Sequence, residues 1–556
     1  MKKIFILSTI FYLILASVHL KAQTKKYFIG FTDKNNSPYS IQNPEQYLSQ
    51  RAINRRLAQN IPINQTDLPV NPQYINAVKN FGVSVITKIK WLNGIIVETN
   101  NPALISQIET LSFVRNTKQL NREVKTTLSS KFSFEFNNEQ LRTSLVKEQL
   151  HYDYGASNNQ VKQIGCDCLH QLGYKGNQKM IAVLDAGFPN ANTLTVFDSA
   201  LSTNRIIAGF DFVANNNQVF DDHPHGTYVL SAMVSEVPGQ LVGTAPKATY
   251  VLIRTEDAAT EYIIEEYYWV AGAEYADSIG ADIINSSLGY TVFDDSTQNH
   301  TYQEMDGDHT IAAFGADMAA SKGIIVNVSA GNSGNSSWYY IGTPADADSA
   351  LTVGAVDSNG VIASFSSKGP ASDGAIKPNL VAQGVSCALV DPSDVITTGS
   401  GTSFSSPINA GAVACLWEAY PQATNMQLID AIQRSAPYYN NPNNYYGYGI
   451  PNYCLALSLL TGKDPRENPN NHLEISPNPF NHQLFIKLYT RDTQTINISI
   501  NDISGKIILS ENHLLYKNSY NIIEPNLPKN LSEGTYIIKV ISSQLNEERK
   551  LIKLPY

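Results

Sequence analysis

Three side chains in the middle of this 556-residue chain are of the types that together make a nucleophile. Asp185 closes the apolar run IAVLDAGF, His225 sits in DDHPHGTYVLSAM, and Ser403 opens SFSSPINAGAVACLW. A serine hydroxyl attacks poorly at neutral pH. It needs an imidazole to take its proton, and a buried carboxylate to orient that imidazole and stabilise its cation. Asn332, in SAGNSG, supplies a fourth element: an amide donor for the oxyanion that an attacked carbonyl becomes. The backbone N–H of Ser403 is the second donor.

The stretch GSGTSFSSP offers four serines, and physical grounds rank them. Gly401 and Thr402 let the backbone turn tightly ahead of Ser403, and the helix behind it places free N–H groups near its Oγ. Ser400 precedes the turn. Ser405 and Ser406 fall in the first helical turn, where local bonding or packing is expected. Pro407 lacks an N–H, a loss tolerated this near a helix start. Each motif alone is weak: LDAG is usually a strand end, HG a loop histidine (His223 is two residues away), and GTS a helix start. Their joint order, Asp, His, Asn, Ser, is the specific signal.

The elements that must position these groups are readable in 151–462. KMIAVLDAG, ATYVLIRT, ADIINSSLG and GIIVNVSAG are short apolar runs separated by helix-like stretches. Buried strands alternating with helices predict an α/β fold, a mostly parallel sheet with helices on both faces. Functional groups then gather at the carboxyl ends of strands. Three of the runs end in Asp185, in Ser287-Leu288-Gly289 and in Asn332.

The flanks differ. Residues 23–120 read as a small α+β unit: VSVITKIK alternates, Asn93-Gly94 signals a hairpin into GIIVET, and PALISQIETL has one apolar helical face. Residues 121–150 are polar and aperiodic, a tether or exposed loop, and 463–472 are a second linker. From 473 to 556, short alternating runs between turn residues predict a small all-β sandwich. Residues 1–22 have a basic start, an apolar run and Ala22 at a cut site, the layout of a signal peptide. No later segment is apolar for long enough to span a bilayer.

The net charge of −9, without runs of either sign, gives no electrostatic footprint for nucleic acid or for an anionic membrane. Five cysteines leave at least one unpaired, and their pairing stays open. Cys166-Asp167-Cys168 is too isolated to read as a zinc site, and Cys415 reads as a buried small hydrophobe. No cysteine is assigned a function, and no metal ligand is assigned.

These segments resemble the subtilisin-like serine peptidases, or subtilases. VLDAG, HGTYV, GTAPKA, ADIINSSLG, SAGNSG, SFSSKGP, KPNLVAQG, GTSFSSP and GYGIPN match family segments in order, over roughly 170–455. The resemblance implies a subtilisin-like fold, a triad of Asp185, His225 and Ser403, and Asn332 as side-chain oxyanion donor. It implies that Ser287, Leu288 and Gly289, with Ser329, Ala330 and Gly331, form the walls along which a protein or peptide substrate lies as an added strand. No cofactor is needed for catalysis; structural calcium occurs across the family, but no acidic loop here is assignable to it. Ala186 and Tyr228 depart from the usual residues after the acid and after HGT, as Asn379 and Gln383 do in KPNLVAQG.

Residues 23–120 resemble subtilase propeptides, which act as intramolecular inhibitors. ISPNPF, NISINDISGKII and GTYIIKV in 473–556 resemble the sorting domain of type IX secretion cargo, which implies export across both membranes by that machinery, to a secreted or surface-attached state. The expectation is a secreted serine endopeptidase. The rival is a non-catalytic binding or adhesion protein on the same scaffold, and four retained site residues argue against it.

Overall fold

A computed structural model describes residues 24–121, 131–132, 135–137, 152–462 and 473–555, the last range without 491, 516–518, 529 and 543–544. The expected signal peptide (1–22), the linker 463–472 and most of 121–150 lie outside the described residues.

The central sheet has seven strands: β1 Met180–Asp185, β2 Ile206–Asp211, β3 Thr249–Arg254, β4 Ile283–Ser286, β5 Ile325–Ser329, β6 Leu351–Val356 and β7 Leu380–Gln383. They lie side by side in the order β7-β6-β5-β4-β1-β3-β2, and every pairing is parallel. Alternation along β1 serves two cores. Ile181 and Val183 join one cluster, with helices α1 (His225–Val234) and α4 (Thr402–Ala419). Ala182 and Leu184 join the other, with α2 (Ile264–Ile279) and α3 (Ile311–Ser321). A sheet covered on both faces explains why these strands read as unbroken apolar runs. The chain reverses its direction of travel across the sheet between β1 and β4, and such a switch point opens a crevice at the strands' carboxyl ends.

The N-terminal unit is a four-stranded antiparallel sheet, ordered Ser84–Ile89, Gly94–Thr99, Lys25–Phe31, Val114–Gln119. Asn93 takes the positive φ that the hairpin needs. One face buries Tyr27, Ile29, Phe31 and Val97 against the unit's own helices. The other lays Phe28, Ile89, Trp91 and Ile96 on α2, with the Phe28 and Tyr267 rings 5.0 Å apart. The C-terminal unit is two antiparallel sheets of three and four strands around Ile486, Ile498, Ile538, Val540 and Leu551. Its Tyr489 meets Cys168, Cys454 and Leu455. Among the described residues no helix is long and apolar enough to cross a membrane.

Candidate active site

Asp185 ends β1 at the switch point, and His225 begins α1. Both are fully buried, and His225 Nδ1 lies 2.7 Å from Asp185 Oδ1. The Ala186 N–H donates to the same oxygen at 2.8 Å. Asp185 Oδ2 has no hydrogen-bond partner among the described residues, which is where the missing hydroxyl at position 186 tells.

Ser403 is the second residue of α4, so its N–H has no acceptor within the helix. Its Oγ faces the Ser287 carbonyl at 3.4 Å, and the neighbouring Phe404 ring lies 6.3 Å from the His225 imidazole. The structure therefore brings Asp185 and His225 into direct contact, while the Ser403 hydroxyl is turned to the β4 loop. Pro407 is not as costless as its place in the sequence suggests. It is the sixth helical residue, and it removes the N–H that would bond the Ser403 carbonyl four residues back. Ser287 Oγ fills that gap, donating to Ser403 O at 2.9 Å.

The Asn332 amide is oriented by its neighbours. Its Oδ1 accepts from the Thr402 N–H and hydroxyl, both at 2.9 Å. A backbone N–H can only donate, so the carbonyl end must face Thr402. The Nδ2 donors are thereby turned away from Thr402, and none bonds another described residue. Gly331 has φ +99° and donates its N–H to Thr402 Oγ1 at 3.1 Å, so the loop after β5 and the start of α4 are tied together.

A cleft of about 570 Å³ runs past these groups, lined by Ser287-Leu288-Gly289, Ser329-Ala330-Gly331, Asn332 and Ser403. Every residue that the sequence puts on the substrate walls borders it. Beneath the cleft lies a buried polar chain that sequence reading missed. Tyr453 Oη donates to Asn409 Oδ1 (2.7 Å), Asn409 Nδ2 to Asn327 Oδ1 (2.7 Å), Asn327 Nδ2 to Asn285 Oδ1 (3.2 Å), and Asn285 Nδ2 to Ser287 Oγ (3.3 Å). The signal was present: Asn285 and Asn327 each interrupt an apolar strand. Of the remaining serines, Ser405 bonds locally to Thr402 O (3.0 Å). Ser406 instead reaches across to Asn285 Oδ1 (3.0 Å) and receives Asn327 Nδ2 (2.7 Å), which corrects the expectation of a local role.

Residues 176–449 match the subtilase family, 26–133 the peptidase S8 propeptide domain of Bacteroidota, and 474–554 a secretion system C-terminal sorting domain. The chain is similar to subtilisin E of Bacillus subtilis (strain 168), with 32% identity over 302 residues, 53% of this chain and 70% of that one. The subtilisin of Bacillus pumilus matches at 32% over 302 residues, 97% of its own length. The chain belongs to the subtilase family. Among solved structures, this subtilase is similar to MycP1 with its N-terminal propeptide removed, at 21% identity, covering 54% of this chain and 96% of that one, with a TM-score of 0.42.

This subtilase is thus a hydrolase of the subtilisin type, with a propeptide domain before the peptidase domain and a sorting domain after it. The sorting domain marks it as secreted or surface-attached. Its propeptide match reaches residue 133, past the α+β unit's last strand, so Lys131 and Phe132 fall within it. The segment expected to be a tether or exposed loop is partly buried in the cleft: Lys131 and Phe132 line it.

Two cysteines pair: Cys168 and Cys454, Cα atoms 5.9 Å apart, join the helices Cys166–Gln171 and Tyr453–Leu460. Cys415 is buried but not merely apolar. It, Cys166 and His170 bring ligand-type atoms within 4.8 Å of one another, and Cys415 Sγ lies 3.1 Å from the Thr244 carbonyl. Two sulfurs and an imidazole do not suit calcium, which takes oxygen ligands, and no step below is routed through a metal.

Proposed function

We propose that this subtilase is a secreted serine endopeptidase, made with an inhibitory propeptide and acting through an acyl-enzyme. The observation that carries the reading is the buried 2.7 Å contact between Asp185 and His225 at the sheet's switch point.

In the proposed mechanism the Asp185 carboxylate holds the His225 tautomer with its proton on Nδ1, so that Nε2 is the base. Nε2 takes the Ser403 proton as Oγ attacks a peptide carbonyl. The hydroxyl must first rotate away from the Ser287 carbonyl, a change about one side-chain torsion. Asn332 Nδ2 and the Ser403 N–H meet the developing oxyanion; preorganised donors cost no reorganisation at that moment. His225 then protonates the leaving amine, and water, deprotonated by the same imidazole, hydrolyses the acyl-enzyme. Thr402 is a positioning residue, since it touches Asn332 Oδ1 and not the reacting atoms. Residues 287–289 and 329–331 take the substrate backbone as an added strand.

A fluorophosphonate probe applied to the processed chain tests this reading. The probe is expected to label the protein, and Ser403→Ala is expected to reduce labelling and peptide hydrolysis to background. A folded, propeptide-free protein that takes no label would end the peptidase reading. Label surviving in Ser403→Ala would end the assignment of the nucleophile.

A further inference from the structure

One group in the cleft has no part in that mechanism. Lys131, from the end of the propeptide match, sets its ammonium 2.6 Å from Glu265 Oε1, 2.7 Å from Glu256 Oε2 and 2.9 Å from Glu261 Oε2. The side chains of Glu256 and Glu265 are 1% exposed and that of Glu261 12%. Lys131, Glu256 and Glu261 share the cleft with Leu288, Asn332 and Ser403, and Glu265 meets the same ammonium from the start of α2.

The described residues around Lys131 run past the groups of the proposed mechanism. The next residue, Phe132, stacks on the His225 imidazole with centroids 4.6 Å apart. Glu135–Asn137 then pairs antiparallel with Ile396–Ser400, the strand that leads directly into Ser403. The chain thus passes from the acidic pocket, over the catalytic histidine, to the strand before the nucleophile. A lysine in the pocket therefore lies on the N-terminal side of whatever bond the site would cut.

We propose that Glu256, Glu261 and Glu265 form a substrate subsite for a lysine side chain a few residues upstream of the scissile bond, which Lys131 fills until the propeptide leaves. The inference rests on the endopeptidase reading above. Its physical basis is a mismatch of charge. Three buried carboxylates face one cation, and that cation belongs to the segment that departs. Among the described residues no other lysine, arginine or histidine touches them. Glu256 otherwise accepts from Tyr290 Oη, and Glu265 from the N–H groups of Asp257 (2.9 Å) and Tyr262 (3.2 Å). An emptied pocket leaves its carboxylates without a counter-charge, so that they must take up protons or stay ionised at a cost. A substrate cation relieves it. The carboxylate oxygens, with the Thr260 and Asp257 carbonyls at 3.2 and 3.4 Å, converge on one point, which suits the compact charge of an ammonium better than the planar fork of a guanidinium.

Internally quenched peptides test this on the processed full chain. One sequence carries Lys, Arg, norleucine or Glu in turn at each position before the cleaved bond. At one upstream position Lys is expected to exceed norleucine in kcat/KM by at least about tenfold, with Arg between them and Glu lowest. Glu261→Gln and Glu265→Gln are expected to bring the Lys-to-norleucine ratio towards one. Wild-type protein supplies a second reading that needs no variant. Burial, with Glu256 and Asp294 nearby and Lys131 opposing them, holds the Glu261 carboxyl up at about 7 while Lys131 fills the pocket. Without Lys131 the carboxyl is held higher still, so the ratio should fall as pH drops and the pocket takes up protons. An enzyme that labels and cuts neutral peptides, yet shows no lysine preference at any upstream position, overturns the subsite and leaves the peptidase reading standing. An enzyme that neither labels nor cuts overturns both.

Discussion

Two clusters of charged contacts between propeptide and peptidase domain meet at helix α2, and they are inverse in make-up. At its C-terminal end three cations converge on one carboxylate. Arg55 (2.6 Å), Arg56 (2.8 Å) and Lys90 (3.2 Å), all from the propeptide, meet the buried Asp277. At its N-terminal end three carboxylates, Glu265 among them, converge on the single cation of Lys131. When the propeptide leaves, the first cluster sends its excess charge away with it. The second keeps its excess in the peptidase domain. The first is built as a clamp, used once; the second as a socket, refilled by each substrate.

The comparison breaks most readily at Asp277. Asp277→Asn leaves Arg55 and Lys90 without their carboxylate in a buried seam, and Arg56 with Asp67 alone. Losing one partner of a buried ion pair costs about 3–5 kcal/mol. In the uncut Ser403→Ala background the propeptide domain should become protease-sensitive, and the first thermal transition should fall. Lys131→Met should do less, about 2 kcal/mol, because the stranded glutamates neutralise themselves by taking up protons. A Lys131→Met effect equal to that of Asp277→Asn would erase the difference between clamp and socket.

The smallest expected effect separates two acids at the clamp itself. The three cations hold Asp277, despite its burial, well below the usual carboxylate range, so its contribution to docking is constant above that range and fails only in strong acid. Glu274, three residues earlier, accepts the N–H groups of Lys90 (2.8 Å) and Trp91 (2.7 Å), and its burial raises its carboxyl to about 7. A carboxyl raised on docking means that the docked state binds more protons between its ordinary value and about 7. Docking is then favoured at low pH and weakens as pH rises through that window. Size-exclusion of the processed chain between pH 5 and 8 should show more released propeptide at the alkaline end, and Glu274→Gln should flatten the trend.

The clamp and the socket were the least legible features in the sequence. Asp185, His225, Asn332 and Ser403 stand out because each is a polar residue that ends or opens an apolar run. The parallel sheet was legible from the same runs. Glu256, Glu261 and Glu265 straddle a loop and a helix start and read as ordinary surface charge. Nothing within a local stretch shows that another part of the chain will cover it, since burial of a charge is decided by tertiary contact. Lys131 and Phe132 were missed for the same reason: the sequence around them has no period of its own, and their burial comes from the cleft they line. Strands β2, β6 and β7 escaped because IIAGFD and LTVGAV each carry a glycine and LVAQ is four residues long. Pro407 was located correctly, but its cost depended on Ser287, more than a hundred residues away.

Ser287 is at once part of the wall beside which a peptide would lie and the donor that completes the helix bearing Ser403. One side chain thus rivets the bench to the tool. Thermal drift that carries α4 sideways drags the wall with it. In the proposed mechanism the separation between a docked carbonyl and Ser403 Oγ then rests on a local fastening.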